Sequence, residues 1–338
     1  MKILVTGALG TIGRPLCRAL EENGHRVVGV DMAHAPMPRS KYIRADVSDF
    51  REFSAAVAEF QRDKEPIELC YHLAAEFGRI NGAEHYERLW RSNCIGLRTV
   101  LNVLGGKRGR KARLVHASTS EVYGDRNTGA SGPLPLEETI ADDFPRPMND
   151  YAISKYANEL QLRSIETKRC GVQWTGVRLF NVYGPGEVGN ARRSVIAQFV
   201  LSMLRGDRVV AYAETWRDAL FIDDAIAALG RFALPWKPWL AKRFMNLSGG
   251  QYESIRQVAA LVAAIVSEEA GIRYSTIIKL IDWRTTEPGN SPHKMPGRER
   301  PANRILKWRP QVSLEDGVRA TVRWAIAETQ RGGLRPDW

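Results

Sequence analysis

The stretch that decides the fold reads Thr6-Gly7-Ala8-Leu9-Gly10-Thr11-Ile12-Gly13, and it follows the apolar run Lys2–Val5. The run predicts a buried strand, and the residues after the last glycine carry the apolar spacing of a helix. Gly7 permits a tight turn, Gly10 allows the backbone to approach a pyrophosphate, and Gly13 allows close helix–strand packing. The first N–H groups of the helix, around Thr11 and Ile12, would face the phosphates. The turn therefore predicts a dinucleotide-binding fold.

Outward from this turn, β-type runs alternate with helical patterns through the first half of the chain. The predicted strands are Lys2–Val5, Arg26–Val30, Tyr42–Ala45, Ile67–Leu73, Arg113–Ala117 and Thr175–Phe180. The predicted helices are Thr11–Asn23, Asp49–Arg62, Glu84–Leu104 and Tyr151–Arg169, with a loop over Gly124–Asp150. Strict alternation implies right-handed crossovers, so we expect an α/β fold with a doubly wound parallel sheet of the Rossmann type.

Beyond residue 180 the alternation weakens. Helices are predicted at Arg192–Gly206, Ser254–Ala270 and Leu314–Thr329, a strand at Ser275–Ile281, and a basic loop over Trp283–Pro310. We expect residues 1–180, with the chain returning at about 218–248, to form the cofactor-binding Rossmann domain. Residues 181–217 and 249–338 should form a smaller C-terminal substrate-binding domain, with the site in the cleft between the two.

Composition and net charge limit the kinds of protein this chain can be and the kinds of partner it can bind. The chain has 338 residues, 44% of them hydrophobic, and a net charge of +11, which favours anionic partners. The longest apolar run, Val258–Val266, is too short to span a membrane, and no signal peptide is evident, so we expect a cytoplasmic protein. Cysteine and histidine spacing supports no metal site. The basic run Lys107–Arg113 is typical of a solvated loop, so we expect no nucleic-acid partner.

Two acidic positions bear on the choice of dinucleotide. Asp31 ends the second predicted strand, eighteen residues after Gly13. A carboxylate there can bind both ribose hydroxyls of an adenosine and would repel a 2′-phosphate, which favours NAD over NADP. Asp46 and Val47, after the third strand, occupy the place where an adenine edge would lie.

Tyr151 and Lys155 begin a predicted helix and share one of its faces. An ammonium beside a phenol favours the phenolate, so we expect Lys155 to lower the pKa of Tyr151. Such a tyrosine can remove a proton from a substrate hydroxyl. Thr119, Ser120 and Glu121 follow the fifth strand, at the carboxyl edge of the sheet where ligands bind.

These motifs together resemble the extended short-chain dehydrogenases/reductases of the nucleotide-sugar epimerase/dehydratase family, over essentially the whole chain. The resemblance is carried by the glycine turn, Tyr151 with Lys155, and the following segments in the expected order: His72-Leu73-Ala74-Ala75, Asn93, Ser118–Gly124, Arg178–Pro185, Arg217-Asp218, Asp223-Asp224 and Ser313–Gly317. The resemblance implies that Leu73, Ala74, Ala75 and Asn93 help to bind NAD. It also implies a homodimer that pairs through the helices at about 84–104 and 151–169.

In this family NAD is reduced and reoxidised within one catalytic cycle. The resemblance implies that Tyr151 takes the proton of the sugar C4 hydroxyl and that Thr119 hydrogen-bonds that oxygen. Lys155 would hold the nicotinamide ribose and keep Tyr151 acidic. The intact pair argues against the remote alternative of a non-catalytic NAD-binding regulator. The expected substrate is a nucleoside-diphosphate sugar.

The step after C4 oxidation stays open at this point. A 4-keto group acidifies C5–H, and Glu121 stands where a C5 base would act, which favours dehydration or decarboxylation. Ser120 replaces the Asp that protonates the leaving hydroxyl in dTDP-glucose 4,6-dehydratases, whereas Thr-Ser-Glu is similar to UDP-glucuronate decarboxylases and GDP-mannose dehydratases. The alternative is a simple 4-epimerase, in which Glu121 has no role at C5.

Several basic or polar residues are candidates for substrate binding. The resemblance implies that Arg217 grips the nucleotide diphosphate and that Asn181 contacts the sugar or its phosphate, and a guanidinium fork suits phosphate. Arg298 or Arg300 would supply a second arginine, although the surrounding sequence departs from the family pattern. Arg79 is a candidate for a sugar carboxylate.

Overall fold

A computed structural model provides the structure of the protein. It describes residues 1–34, 42–61, 63, 65–78, 83–105, 112–124, 136–138, 145–165, 171–187, 194–207, 209–213, 215–235, 243–272, 279–282, 293–294 and 301–332. All statements below concern these residues.

The strands are β1 (Lys2–Thr6), β2 (Arg26–Asp31), β3 (Tyr42–Arg44), β4 (Leu69–His72), β5 (Arg113–Thr119), β6 (Gln173–Leu179), β7 (Val182–Tyr183), β8 (Val210–Ala213), β9 (Trp216–Asp218), β10 (Leu220–Phe221), β11 (Arg243–Leu247), β12 (Tyr252–Ser254), β13 (Lys279–Asp282) and β14 (His293–Lys294). The α-helices are α1 (Gly13–Glu22), α2 (Phe50–Phe60), α3 (Tyr86–Trp90), α4 (Gly96–Leu104), α5 (Asp150–Ser164), α6 (Val195–Leu204), α7 (Ile222–Gly230), α8 (Ile255–Ala270), α9 (Pro301–Ile305) and α10 (Leu314–Gln330). A π-helical turn, Arg91–Ile95, joins α3 to α4, and a 3-10 helix, Ser120–Tyr123, follows β5.

The main sheet has seven strands in the order β11-β6-β5-β4-β1-β2-β3, all parallel. The strand order reverses between β1 and β4, because the chain runs outward from β1 in one direction and then from β4 in the other. In such sheets a crevice opens outside the carboxyl ends of the strands at the reversal. The predicted doubly wound Rossmann fold is confirmed.

Both faces of the sheet are covered by apolar helix surfaces. On one face α2, α4 and α5 contribute buried side chains such as Phe53, Leu97 and Leu162. On the other, Leu16 of α1 belongs to a larger core that continues through α7 into α6, α8 and α10, with Val258 among its members. One apolar core thus runs across the predicted domain boundary, and the division into two domains stays a prediction.

Local sequence signals explain where several helices begin. The Asp49 carboxylate accepts hydrogen bonds from two N–H groups in the first turn of α2. Ser254 and Gln257 form a reciprocal capping box at the start of α8, which satisfies N–H groups that a helix leaves unpaired. Gly271 ends α8 in the left-handed conformation.

The prediction of a loop over Trp283–Pro310 is wrong at two described places. His293 and Lys294 form β14, which pairs in parallel with β9, and Pro301 starts the short helix α9. The strand depends on a partner distant in sequence, which no local pattern reveals. Proline is favourable at the first helical position, where its missing N–H costs nothing.

A buried ion pair joins α5 to strand β6 of the main sheet. Arg178 on β6 and Glu159 on α5 are both 0% exposed and meet through two hydrogen bonds, Nε to Oε1 at 3.0 Å and Nη2 to Oε2 at 2.7 Å. Ser118 of β5 is paired with Arg178 of β6 in the sheet, and its hydroxyl group donates to the same carboxylate at 2.6 Å. Arg178 Nη1 donates to the Tyr123 hydroxyl at 3.0 Å. The network fixes α5 against β5 and β6.

The substitution Arg178→Met tests this network. It leaves the Glu159 carboxylate buried without its cation, so the free energy of unfolding should fall by about 3–5 kcal/mol in urea denaturation. Arg18→Met is the matched control, because Arg18 and Glu22 form an exposed pair, 83% and 62% accessible, whose loss should cost under about 1 kcal/mol. Equal losses for the two variants would contradict the role given to the buried pair.

Candidate active site

The glycine turn after β1 is closed by backbone hydrogen bonds. Gly7 has a φ of +71° and donates its N–H to the Val30 carbonyl at 2.9 Å, and Gly10 donates to Gly7 at 3.1 Å. A Cβ at Gly7 would lie 2.7 Å from the Ala74 nitrogen, and one at Gly13 only 2.0 Å from the Gly7 oxygen. Both positions exclude any side chain, so the backbone itself forms the surface at the mouth of the crevice.

Helix α1 begins beside this turn with N–H groups open to a ligand. Its first turn, next to Thr11 and Ile12, has no side-chain cap and no acidic residue, as suits an incoming anion. Asp31, at the carboxyl end of β2, accepts N–H bonds from Leu9 at 3.0 Å and from Ala33 at 3.1 Å. Each carboxylate oxygen retains acceptor capacity for a hydroxyl. These features fit the diphosphate and ribose of a dinucleotide.

The other predicted cofactor residues lie along the same edge. Asp46 follows β3 and accepts the N–H of Ser48 at 2.8 Å, while the buried Val47 side chain faces Gly96 of α4. Leu73, Ala74 and Ala75 follow β4, and the Leu73 N–H donates to the Thr6 carbonyl at 3.1 Å. Their contacts to a cofactor stay a prediction.

Asn93 lies in the π-helical turn, fully buried, and its amide is engaged with protein. Its Oδ1 accepts the N–H of Glu76 at 2.8 Å, and its Nδ2 donates to the Glu76 carbonyl at 3.2 Å and to Ser154 Oγ at 2.9 Å. Both amide protons are thereby used within the chain. These contacts make Asn93 a positioning residue for the segment after β4 and for α5, and its part in binding NAD stays a prediction.

Tyr151, Thr119 and Lys155 come together where β5 meets α5. Thr119 hydrogen-bonds the phenol of Tyr151, and its Oγ1 also accepts the N–H of Glu121 at 3.2 Å. Lys155 Nζ lies 6.0 Å from the Tyr151 ring centroid and donates to the Ala117 carbonyl at 2.8 Å. The three side chains are 3–7% exposed.

Burial dominates the protonation of this pair. It raises the pKa of Tyr151 to about 12, against the lowering effect of the Thr119 hydrogen bond. It lowers the pKa of Lys155 to about 8. The Lys155 ammonium is directed to the Ala117 carbonyl, and the expected lowering of the pKa of Tyr151 by Lys155 stays a prediction. At neutral pH the phenol is therefore protonated and uncharged, whereas Lys155 still carries its proton but releases it more readily than a free lysine.

Ser120 and Glu121 open the 3-10 helix that follows β5. Ser120 is 3% exposed, whereas Glu121 is partly exposed and its Oε2 accepts a hydrogen bond from Asn149 Nδ2 at 3.4 Å. Asn149 is also the N-cap of α5, through its Oδ1 and the Ala152 N–H. Sequence reasoning missed Asn149, although an Asn before an acidic first turn is a recognisable N-cap signal.

Asn181 and Arg217 line one small cavity beside β9. Asn181 Nδ2 donates to the Asp218 carbonyl at 2.7 Å, and Arg217 Nη1 donates to the Trp216 carbonyl at 2.9 Å. The structure thus brings these two candidates together. The other three, Arg79, Arg298 and Arg300, lie outside the described residues, as do residues 107–111 of the basic run.

Among the described residues, no group of three or more His, Cys, Asp or Glu is placed to hold a metal ion. None of the described helices has the length and apolar character needed to cross a membrane.

The fold and the site define an extended short-chain dehydrogenase/reductase, a class of dinucleotide-dependent enzymes. The chain belongs to the NAD dependent epimerase/dehydratase family, whose model matches residues 3–234. NAD is its cofactor.

Relatives of both reaction types are similar to the chain. The UDP-glucose 4-epimerase of Mycolicibacterium smegmatis is 27% identical, over 98% of this chain and 100% of that protein. UDP-glucuronic acid decarboxylase 1 of Xenopus tropicalis is 28% identical, over 97% of this chain and 73% of that protein. The crystal structure of the Thermus thermophilus UDP-glucose 4-epimerase in complex with NAD superposes with a TM-score of 0.78 at 26% identity, covering 96% of this chain and 98% of that one.

The buried Lys155 predicts a specific pH dependence of stability. An unfolded lysine keeps its proton up to about pH 10.5, whereas the folded one releases it above about pH 8. Between these values the unfolded chain binds more protons, so the free energy of unfolding rises with pH. Relative to Lys155→Met, the NAD-free protein should gain about 3 kcal/mol from pH 8 to 10.5. Parallel urea denaturation of both proteins measures it, and a pH-independent difference would contradict the lowered pKa.

Proposed function

We propose that the protein transiently oxidises C4 of a nucleoside-diphosphate sugar and then, with Glu121, carries out dehydration or decarboxylation through the 4-keto intermediate. The observation that supports this most is the double contact of Thr119. Its hydroxyl group meets both the Tyr151 phenol and the backbone of Glu121. Tyr151, the proposed proton acceptor for the C4 hydroxyl group, and Glu121, the carboxylate proposed to act at C5, are therefore both neighbours of Thr119.

NAD, when bound, supplies a reversible two-electron oxidation at C4. The chain's own residues handle the protons. The Tyr151 oxygen accepts the C4 hydroxyl proton, and Thr119 hydrogen-bonds the same substrate oxygen. Lys155 provides a positive charge that holds the cofactor ribose and opposes the effect of burial on the phenol when protonated.

A ketone at C4 makes the C5 proton acidic, because the resulting enolate is stabilised. In dehydration Glu121 takes the C5 proton and gives a proton to the C6 hydroxyl group, which leaves as water, and the hydride removed from C4 would then return to C6 as a proton adds to C5. In decarboxylation of a uronate, C6 leaves as carbon dioxide and the resulting enolate takes a proton at C5 from the Glu121 carboxyl group. The same hydride would then return to C4. Asn149 holds the Glu121 carboxylate close to the first turn of α5.

The nucleotide end of the substrate is assigned to the cavity of Asn181 and Arg217. Arginine is suited to a diphosphate because its guanidinium donates two parallel hydrogen bonds. The names of two relatives specify UDP-sugars, so UDP-sugars are the first substrates to test. Arg79, Arg298 and Arg300 remain candidates for further contacts.

Simple 4-epimerisation is the second candidate function. The relatives that are 4-epimerases favour it, and so does the hydrogen bond between Glu121 and Asn149, since that contact gives the carboxylate a role without C5 chemistry. In that reaction C4 is oxidised and reduced again on the opposite face, with no bond to C5 or C6 broken.

The variant Glu121→Gln separates the two reactions. If Glu121 acts at C5, the variant should still reduce bound NAD in the presence of UDP-glucose or UDP-glucuronate but complete turnover roughly 10²–10⁴-fold more slowly. The unmodified enzyme in deuterated water should place deuterium at C5 of a product that has lost water or carbon dioxide. Absorbance at the NADH band and product mass spectra measure both.

Tyr151→Phe is the comparison variant. It removes the proton acceptor, so NAD reduction itself should slow by roughly 10²–10⁴-fold while NAD still binds. A near-silent Glu121→Gln, with a product of unchanged mass and no deuterium at C5, would establish the 4-epimerase instead. Full activity of Tyr151→Phe would contradict both candidates.

An exposed apolar face on α5 and the adjoining π-helical turn supports the expected homodimer. Ile153 and Leu160 lie seven residues apart on α5, and Ile95 lies in the turn, with 40%, 48% and 50% of their surfaces exposed. Gln161 of α5 donates to the Cys94 carbonyl at 3.1 Å, which places the two segments side by side. Covering these side chains with a second copy would remove them from water.

The dimer is tested by Leu160→Glu, which would place a charge within the proposed interface. Analytical ultracentrifugation should show a dimer for the unmodified chain and a monomer for the variant. Leu234→Glu is the control, since Leu234 is 50% exposed but lies near the first residue of β5 and belongs neither to α5 nor to the π-helical turn. A monomeric unmodified protein would contradict the proposal.

A further inference from the structure

Phe77, which belongs to none of the motifs found in the sequence, packs its aromatic ring against the reactive Tyr151. Its ring centroid lies 5.9 Å from that of Tyr151, with the ring planes at 76°, an edge-to-face contact. Tyr151 is 7% exposed, whereas Phe77 is 47% exposed. One side of the Phe77 ring therefore covers the phenol while much of the ring remains open.

The backbone that carries Phe77 is held by several hydrogen bonds. The preceding residue, Glu76, bonds through both its N–H and its carbonyl to Asn93, and its carboxylate forms an ion pair with Arg88 of α3. Asn93 also donates to Ser154 of α5, whose hydroxyl donates to the Tyr151 carbonyl at 2.8 Å. The segment bearing Phe77 and the helix bearing Tyr151 are thus tied together through a single amide.

The position of Phe77 follows from the sheet. It comes after β4, at the carboxyl edge where the glycine turn and Thr119 also lie. A substrate hydroxyl that gives its proton to Tyr151 must come within about 2.6–3.2 Å of the phenol oxygen. An aromatic ring packed directly on that phenol is then within reach of the same sugar ring.

We propose that Phe77 is a specificity-determining residue that forms one wall of the sugar site, and that Asn93 positions it. This inference rests on the proposed function. The open part of the ring offers an apolar surface, which suits the C–H face of a neutral pyranose and disfavours a charged group at that place. The covering part of the ring excludes water from the phenol.

The test compares Phe77→Ala with Phe50→Ala, a control in which an aromatic residue of similar exposure, 54%, is removed at the start of α2. With UDP-glucose as substrate, Phe77→Ala should raise KM roughly 5–30-fold, while the Kd of UDP alone changes less than about two-fold. The Phe50 variant should match the unmodified enzyme in both. Phe77→Leu keeps an apolar side chain, so its KM should lie between that of Phe77→Ala and that of the unmodified enzyme. It replaces Phe77→Ala in the test if the alanine variant does not fold.

A second readout needs no substrate. Removing the Phe77 ring exposes the Tyr151 phenol to water, which lowers the pKa of the phenol. The ultraviolet phenolate signal of Tyr151 is obtained as the difference between a protein with Tyr151 and the same protein carrying Tyr151→Phe. In Phe77→Ala this signal should appear at a pH lower by roughly 0.5–1 unit. If no UDP-sugar is turned over but this shift occurs, the proposed function is wrong and the shielding by Phe77 stands. Normal turnover with unchanged KM and an unchanged phenolate signal would overturn the assignment of Phe77.

Discussion

The ion pair between Arg178 and Glu159 is the interaction on which the rest of the site depends. Both side chains are completely buried, and the carboxylate also receives the Ser118 hydroxyl group. Since a buried charge is tolerated only when it is paired and hydrogen-bonded, the network permits essentially one placement of α5 against β5 and β6. Tyr151 and Lys155 lie on the same helix, so their position relative to the sheet edge follows from this pair.

Burial then determines how the reactive pair is charged. The surroundings that hold Tyr151 and Lys155 also remove water from them, which raises the pKa of the phenol and lowers that of the ammonium. The protein alone therefore favours the neutral phenol over the phenolate, and it makes Lys155 easier to deprotonate than a free lysine. The hydrogen bond from Thr119 acts in the opposite direction on the phenol, so the end of β5 contributes to its reactivity as well as to its location.

Asn93 shows how a motif residue can act through its neighbours. Its amide joins the segment after β4 to α5, whereas its part in binding the cofactor stays a prediction. That segment places Phe77 on Tyr151. The reactive phenol thus lies between two strand ends, with Thr119 on one side and the Phe77 ring on the other.

The sequence alone determined the parallel doubly wound sheet, the dinucleotide turn and the identity of the cofactor. These depend on local periodicity and on glycines at positions such as Gly7 and Gly13, where neighbouring backbone leaves no room for a side chain. Tertiary structure decided what local pattern cannot encode. The pairing of β14 with β9, the charge state of Tyr151 and the contact with Phe77 arise between segments distant along the chain. Burial and contacts between distant segments are properties of the folded chain, so the sequence alone could not predict them.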